Sequence, residues 1–343
     1  MPSPLGRMTE SSSPTPPALV APGLRALMHE IVDYAGLFPP ARLPLDEAIR
    51  AYAAYRRSPE AWMLGRFVCP VKRLPDLAAH ADLFAANPPF RFSVLGSGGP
   101  DAPAFLAAFE ADLAALTAFH DRHPGQVRAE VMEVRLPATL RTAEADALRG
   151  FFGDVHTALA RSGLPGLDLF CEVPLDDALP GTLPPLLTAM AAYNRTRPAA
   201  PEAEVGLKMR CGGVEASMFP PPERIALAMA ACLRAGVRFK ATAGLHHPIR
   251  HFNDSVQTKM NGFFNVFGAA VLATAHALDE AAILDILHDE NADHFRFPDG
   301  TFVWKTHAAN PEAIRQVRAT AALSFGSCSF DEPRDDLRAL GLL

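Results

Sequence analysis

The feature that most constrains the fold is a repeated alternation of short β-type runs with longer helical runs. The candidate strands cover residues 63–69, 92–96, 128–136, 167–173, 205–210 and 237–243. Their starts lie about 30 to 40 residues apart, the length of one strand, one helix and two short loops. Six such units without an internal linker predict a parallel sheet wound with helices.

Side-chain parity on two of these strands favours a closed barrel over an open, doubly wound sheet. Lys208 and Arg210 share one face of the run 205–210, and Lys240 and Thr242 share one face of the next run. Both faces of a central strand in an open parallel sheet are normally apolar. A barrel instead gathers polar groups at the C-terminal ends of its strands, where active sites of this fold lie. We therefore predict an α/β fold, a (β/α)8 TIM-barrel-like architecture.

The barrel is predicted to occupy residues 21–343 as one domain, after a disordered Ser/Pro tail over residues 1–20. Residues 21–60 are predicted to form an N-terminal helical layer. Helices are expected over residues 261–277 and 279–288. The run 295–304 resembles a hairpin around Pro298-Asp299-Gly300. Because a hairpin does not belong in an ideal barrel, the last two strands are expected to be irregular, with 322–330 as a candidate closing strand.

Composition bears on the partners and the compartment. The net charge is −6 and Lys and Arg never cluster beyond a pair, which disfavours nucleic acid and anionic lipid as partners. The apolar run 262–278 is interrupted by polar residues and is shorter than a typical membrane span. Five scattered cysteines predict neither a disulfide framework nor a thiolate zinc site. We predict a cytoplasmic protein with a small-molecule anionic substrate, and leave open a homo-oligomer.

The strongest candidate site combines Lys208, Arg210, Lys240 and Thr242, with Glu172 on the preceding strand. Neighbouring strands lie about 4.8 Å apart, so side chains of equal parity should crowd one cavity. Burial and like charge both lower the pKa of an amine, and a neutral lysine can form a Schiff base with a carbonyl compound. Lys208 is therefore predicted to be a nucleophile with a depressed pKa.

Two other interpretations of the same lysines stay open. Each lysine can pair with a carboxylate such as Glu172, or extend out of its strand end. The cations can also bind an anionic ligand without a covalent step, with backbone N–H groups of Gly212 and Gly213 adding an anion-binding nest.

Residues 205–247 resemble the two-lysine half of class I aldolases of the deoxyribose-phosphate aldolase type. The shared order is a strand lysine, a glycine loop, a helix, a second strand lysine, then Ala243 and Gly244. The resemblance implies that Lys208 forms the Schiff base and that Lys240 lowers its pKa. The run Met209-Arg210-Cys211-Gly212 stands where that family has Thr-Ser-Thr-Gly. The two strands are counted here as the fifth and sixth, whereas the family uses the sixth and seventh.

A second candidate site is the loop after Lys240, which contains His246, His247, His251 and Asp254. One histidine, His246 or His247, is predicted to transfer protons at neutral pH. The alternative is a divalent metal held by all four residues, although their spacing matches no compact metal signature. Cys328, near the C-terminus, is interpreted as a buried inert thiol rather than a nucleophile.

Together these features predict an enzyme with lyase chemistry on a small anionic or carbonyl-bearing metabolite. Lys208 is assigned as the amine nucleophile, and Lys240 and Arg210 as groups that tune its pKa and bind anions. Glu172, His246 or His247 is assigned the proton transfer, while Thr242, Gly212 and Gly213 are assigned to substrate contacts. No cofactor is predicted on this interpretation. A metal-assisted lyase or hydrolase and a non-catalytic anion-binding barrel are the alternatives.

Overall fold

The protein is described by a computed structural model over residues 20–85, 88–164, 166–196 and 203–343. The predicted Ser/Pro tail, apart from Val20, lies outside the described residues. Eight parallel strands close into a barrel, which confirms the predicted fold class. In chain order the barrel strands are β1 (Val32–Tyr34), β2 (Leu64–Pro70), β3 (Phe90–Leu95), β4 (Val127–Arg135), β5 (Asp168–Val173), β6 (Val205–Arg210), β7 (Phe239–Thr242) and, closing the barrel against β1, β13 (Ala322–Ser327).

The first barrel strand is the one that the sequence prediction missed. Val32–Tyr34 pairs with β2 on one side and with β13 on the other, so the segment 21–60 is not a purely helical layer. Three residues are too short to show a period-2 pattern, and all three are buried. The strand count consequently moves by one: Lys208 lies on the sixth barrel strand and Lys240 on the seventh.

Helices cover the outside of the barrel between most pairs of strands. They are α1 (Pro22–Met28), α2 (Leu45–Tyr55), α3 (Ala102–Arg122), α4 (Ala138–Arg141), α5 (Ala145–Ser162), α6 (Leu179–Thr196), α7 (Pro222–Ala235), α8 (Phe263–His276), α9 (Glu280–His288), α10 (Pro311–Thr320) and α11 (Asp331–Ala339). Helix α7 shows how the sequence sets their ends. Pro222 begins the helix, where its missing N–H costs nothing, and Gly236 ends it in the left-handed conformation at φ 63°.

The long connection between β7 and β13 explains the irregular appearance of the C-terminal third. It contains a small hairpin, β8 (His251–Asn253) with β9 (Thr258–Met260), then α8 and α9. The predicted hairpin around Pro298 is also present, as β10 (Phe295–Arg296) with β11 (Phe302–Trp304), and β12 (His307–Ala309) extends it. Both small sheets lie outside the barrel wall. The predicted run 322–330 does supply the closing strand, which ends at Ser327.

Helix α3 is long and apolar enough to cross a membrane by length and composition. Phe105, Phe109, Leu113, Leu116 and Phe119 of this helix are buried. Core helices of globular proteins can be equally long and apolar, and α3 packs against α5 in the layer outside the barrel.

Candidate functional site

The barrel interior contains a continuous network of polar side chains, to which every barrel strand contributes. TIM-barrel interiors are usually filled by branched apolar residues. Here the contributing residues, from β1 through β7 and then β13, are Asp33, Arg66, Ser93, Glu133, Glu172, Lys208, Lys240 and Ser324. Burying charged groups is costly unless each is paired and hydrogen-bonded. A network of this size in the interior therefore indicates a functional site.

Lys208 lies on the side of this network that is nearest the C-terminal ends of the strands, and it is 6% exposed. Its Nζ lies 2.8 Å from Glu133 Oε2 and 2.8 Å from Glu172 Oε2. Strand register explains the second contact, because Lys208 is directly opposite Glu172 on β5 and Lys240 on β7. The interpretation that Lys208 pairs with Glu172 is confirmed, although this pairing does not exclude a catalytic role.

Lys240 is fully buried in the same interior. Its ammonium group donates to Asp33, lies 3.1 Å from Glu133 Oε1 and 3.2 Å from Ser324 Oγ. Glu133 thus contacts both lysines and also accepts a 2.6 Å hydrogen bond from Ser93 Oγ. The predicted convergence of the two lysines in one interior is confirmed, and Glu133 is the residue that joins them.

The acidic neighbours change the protonation that the sequence predicted for Lys208. Burial alone would lower the pKa of Lys208, but attraction and hydrogen bonds from Glu133 and Glu172 outweigh it and raise the pKa. The prediction of a depressed pKa was therefore wrong in direction. Burial likewise opposes ionisation of both carboxyls, yet Lys208 and Lys240 hold the pKa of Glu133 below the usual range, and Lys208 and Arg210 do the same for Glu172. In the resting protein Lys208 is an ammonium ion between two carboxylates.

A cavity of about 300 Å³ opens above Lys208 at the C-terminal ends of the strands. We call this end of the barrel the mouth and this cavity the mouth cavity. Glu133, Lys208 and Arg210 provide its charged wall, and Ala35, Phe38, Pro39 and Pro40 of the loop after β1 provide part of its apolar wall. This volume is at the lower end of the range for small-molecule sites. Lys208 and Glu133 are therefore the network members that a ligand in this cavity can contact.

The predicted substrate-binding residues lie around the same cavity, but not all of them face it. Arg210 is half-exposed at the rim, and its Nε lies 3.1 Å from Glu172 Oε1. Thr242 and Gly213 line the cavity. Gly212 is buried, and a side chain there would come within 2.8 Å of the Gly244 Cα atom. This glycine is required because the loops after β6 and β7 touch backbone to backbone.

The histidine loop packs onto α11 instead of forming one cluster. His246 Nδ1 lies 2.8 Å from Glu332 Oε2, and His247 Nδ1 lies 2.6 Å from Asp336 Oδ2. The His251 ring packs edge-on against His247 at a centroid distance of 4.5 Å. Over the described ranges, no group of three or more His, Cys, Asp or Glu residues is arranged to hold a metal ion. The four residues of the metal alternative, which also include Asp254, are thus not brought together.

His246 is the histidine of this loop that reaches the mouth cavity. Burial lowers its pKa, but hydrogen bonds to Cys328 and Glu332 outweigh burial and raise the pKa to about 9. Cys328 also lines the cavity, and its Sγ lies 4.0 Å from His246 Nδ1. All five cysteines are free and buried. A protonated imidazolium at this position can donate a proton to a ligand in the cavity.

Asp33, Arg66 and Glu133 are network residues that sequence analysis did not select. Glu133 was detectable, since it is a charged residue within a predicted strand, the same signal that pointed to Lys208. Arg66 carried the same signal within the predicted strand 63–69, whereas Asp33 depends on recognising β1, which carries no usable pattern. Asp33 accepts from the Arg66 backbone N–H at 2.7 Å, which fixes its carboxylate beside Lys240.

Comparison with known proteins adds no assignment to this geometry. No protein-family model matches the chain, and a search of curated proteins finds no match.

Proposed function

We propose that the protein is a barrel enzyme that acts on a small carbonyl compound with an anionic group, through an imine on Lys208. The observation that carries the proposal is that Lys208 is buried, lines the mouth cavity and has two carboxylates within 2.8 Å of its Nζ. A lysine amine is the protein group that forms Schiff bases with carbonyl substrates. The position of Lys208 and Lys240 on the sixth and seventh barrel strands agrees with the aldolase resemblance.

The first chemical step needs a neutral amine, so the ammonium of Lys208 must first lose a proton. Glu172 is a suitable acceptor because its Oε2 lies 2.8 Å from Nζ. In the resting site this transfer is unfavourable, since Arg210 and Lys208 both stabilise the Glu172 carboxylate. A substrate anion that engages Arg210 would draw it from Glu172 and make that carboxylate more basic. Substrate binding would thereby prepare the nucleophile.

The neutral amine then attacks the carbonyl carbon to give a carbinolamine, which loses water to form a protonated imine. The hydroxyl leaves as water after it receives a proton, and His246 is the imidazolium in the cavity wall that can donate it. The cationic imine withdraws electrons from the adjacent C–C or C–H bond, which is the basis of lyase chemistry. Lys240 lies deeper in the barrel than Lys208 and acts as a positioning residue. Its Nζ lies 3.1 Å from Oε1 of Glu133, the carboxylate that also contacts Lys208.

Borohydride trapping tests this proposal with a matched control. The full chain is incubated with a panel of small α-keto acids and aldehydes, reduced with borohydride, and digested for mass spectrometry. We expect an adduct on the peptide that contains Lys208, lost in Lys208→Arg and retained in Lys259→Arg, whose side chain is half-exposed. An adduct confined to other lysines, or equal trapping in Lys208→Arg, would overturn the proposal.

A second candidate is a barrel that holds an anionic ligand without reaction. The raised pKa of Lys208 favours it, because a permanent ammonium ion binds anions but does not attack carbonyls. On this candidate, calorimetry with the same keto acids shows binding that Lys208→Arg largely keeps and Arg210→Ala weakens, with no borohydride adduct.

A further inference from the structure

A second cavity lies at the opposite end of the barrel, at the N-terminal ends of β2 and β13. We call it the base cavity. Its volume is about 490 Å³, and residues of α1 and α10 form much of its wall. This volume is within the range of small-molecule sites. None of the chemistry proposed above uses this cavity.

Basic side chains dominate the base cavity. The basic lining residues are Arg25, His29, Arg66, Arg315 and Arg318. Glu30 is the acidic residue among the described lining residues, and it already forms an ion pair with Arg91. Arg66 is paired with Asp33 and Glu130, so the uncompensated positive charge of the described wall comes from Arg25 and Arg318.

Arg318 has the least compensated of these charges. It is 9% exposed, and its guanidinium donates to the backbone carbonyls of Ala322 and His29. Its Nε has no hydrogen-bond partner within the described part of the chain, and Arg318 forms no ion pair there; its guanidinium carbon lies 5.3 Å from the centroid of the Phe267 ring. Burial lowers the pKa of Arg318 to about 9. An anion in the base cavity would supply the missing counter-charge.

The remaining wall indicates the kind of anion. The Arg25 guanidinium lies over the Trp62 ring at 5.0 Å, and Arg315 pairs with Glu312 at 2.8 Å on the exposed side of α10. Planar guanidinium groups recognise carboxylates and phosphates through paired hydrogen bonds. Pro22, Ala26 and Leu323 add apolar surface beside them. A ligand that fits has a charged head and a compact apolar body.

We infer that the base cavity binds a small organic anion, a carboxylate or phosphate ester with an apolar body. The anion head lies among Arg25, Arg315 and Arg318, and the apolar body contacts Pro22 and Leu323. This site is separate from the mouth cavity, so the inference does not depend on the proposed imine chemistry.

Isothermal titration calorimetry on the full chain tests the inference with phenyl phosphate and benzoate as probes, and with benzyl alcohol as the neutral analogue. We expect saturable binding of at least one anion and none of benzyl alcohol. Ala319→Glu, which adds a carboxylate to the exposed wall of the cavity, should weaken that binding at least about tenfold. Arg315→Glu should weaken it severalfold.

Matched variants make the result decisive. Arg149→Glu changes another half-exposed helix arginine that has an acidic partner three residues away, and it should leave anion binding unchanged. Arg210→Ala, at the half-exposed rim of the mouth, weakens any anion binding there and should leave binding in the base cavity unchanged. Absence of saturable anion binding would overturn the inference. Binding that is weakened in Arg210→Ala but kept in Ala319→Glu would overturn it as well, because the anion would then occupy the mouth.

Discussion

The two ends of the barrel both gather basic side chains, but they neutralise them differently. At the mouth, Lys208 and Lys240 together contact three carboxylates. Each lysine contacts two of them, and Glu133 contacts both lysines. At the base, Arg318 is buried with backbone carbonyls as its partners. Arg66 joins the two ends, since it lines the base cavity and lies 3.5 Å from Asp33. Positive charge alone therefore does not identify a site's chemistry; the arrangement of its counter-charges does.

The difference has an energetic meaning. A buried ion-pair network repays the cost of desolvation only if each member keeps its partners, so removal of one member is strongly destabilising. A buried cation without a counter-ion already carries that cost in the free protein, and a bound anion can offset it. This contrast supports the two proposals, proton transfer between existing partners at the mouth and binding of an anion at the base.

Loss of Glu133 should give the largest effect on stability. Glu133→Gln leaves both lysines with one fewer carboxylate, and we expect the free energy of unfolding to fall by about 3 to 5 kcal/mol. Urea unfolding measures this. The control is Glu110→Gln, which breaks an exposed ion pair with Arg161 and should cost less than about 1 kcal/mol. Equal effects of the two substitutions would contradict the mouth network.

His246, at the rim of the mouth, should make the free energy of unfolding decrease as the pH becomes alkaline. Because the folded-state pKa of His246 is raised to about 9, its contribution is fully present below about pH 6.5 and is lost as pH rises through 9. The expected loss is at most about 3 kcal/mol. Thermal unfolding between pH 6 and 10 should show this decline. It should be reduced in His246→Gln but not in His288→Gln, whose side chain is half-exposed.

Replacement of Arg318 should cost less than loss of Glu133, although both residues are buried. Arg318→Met removes an uncompensated charge but leaves two backbone carbonyls without a donor, so we expect a net loss below about 2 kcal/mol. Urea unfolding compares the two variants directly. A loss larger than that of Glu133→Gln would show that the charge at the base is compensated, and would remove the contrast between the two ends.

The pH dependence of imine trapping should reveal the influence of Glu172. Glu172→Gln removes one of the two carboxylates that raise the pKa of Lys208, so the neutral amine should form at lower pH. We expect the rise of trapping rate with pH to move down by about one unit or more. Single-turnover trapping over pH 6 to 10 measures the shift, with Glu290→Gln, which pairs with Lys259, as the control. A profile that moves to higher pH would contradict the role of Glu172.

Much of the barrel could be predicted from the sequence because its longer strands keep a period-2 pattern and its helices carry clear end signals. The run 205–210 was predicted with its exact bounds. Val32–Tyr34 was not, since three fully buried residues carry no periodic contrast. Barrel closure involves residues almost 300 positions apart, such as Val32 and Phe325. Sequence periodicity contains no information about such a pairing.

The candidate site was predictable in its cations but not in its charge balance. Parity placed Lys208 and Lys240 in one interior, and their contacts with Glu133 confirm this. The direction of the Lys208 pKa depends on which carboxylates face it from other strands. That information exists only after the barrel closes, which is also why Arg318 was not recognised. Its surroundings come from α1, β2 and β13 together.

Two of the five lysines of the chain lie inside the barrel, within a network of carboxylates. Labelling of the native full chain with a bulky amine-reactive N-hydroxysuccinimide ester, too large for the cavity of about 300 Å³ above Lys208, followed by digestion and mass spectrometry, tests this placement most directly. We expect modification of Lys72, Lys259 and Lys305, which are exposed, and protection of Lys208 and Lys240 until the protein is unfolded. Labelling of Lys208 and Lys240 by the bulky ester at the rate of the three exposed lysines would contradict the account.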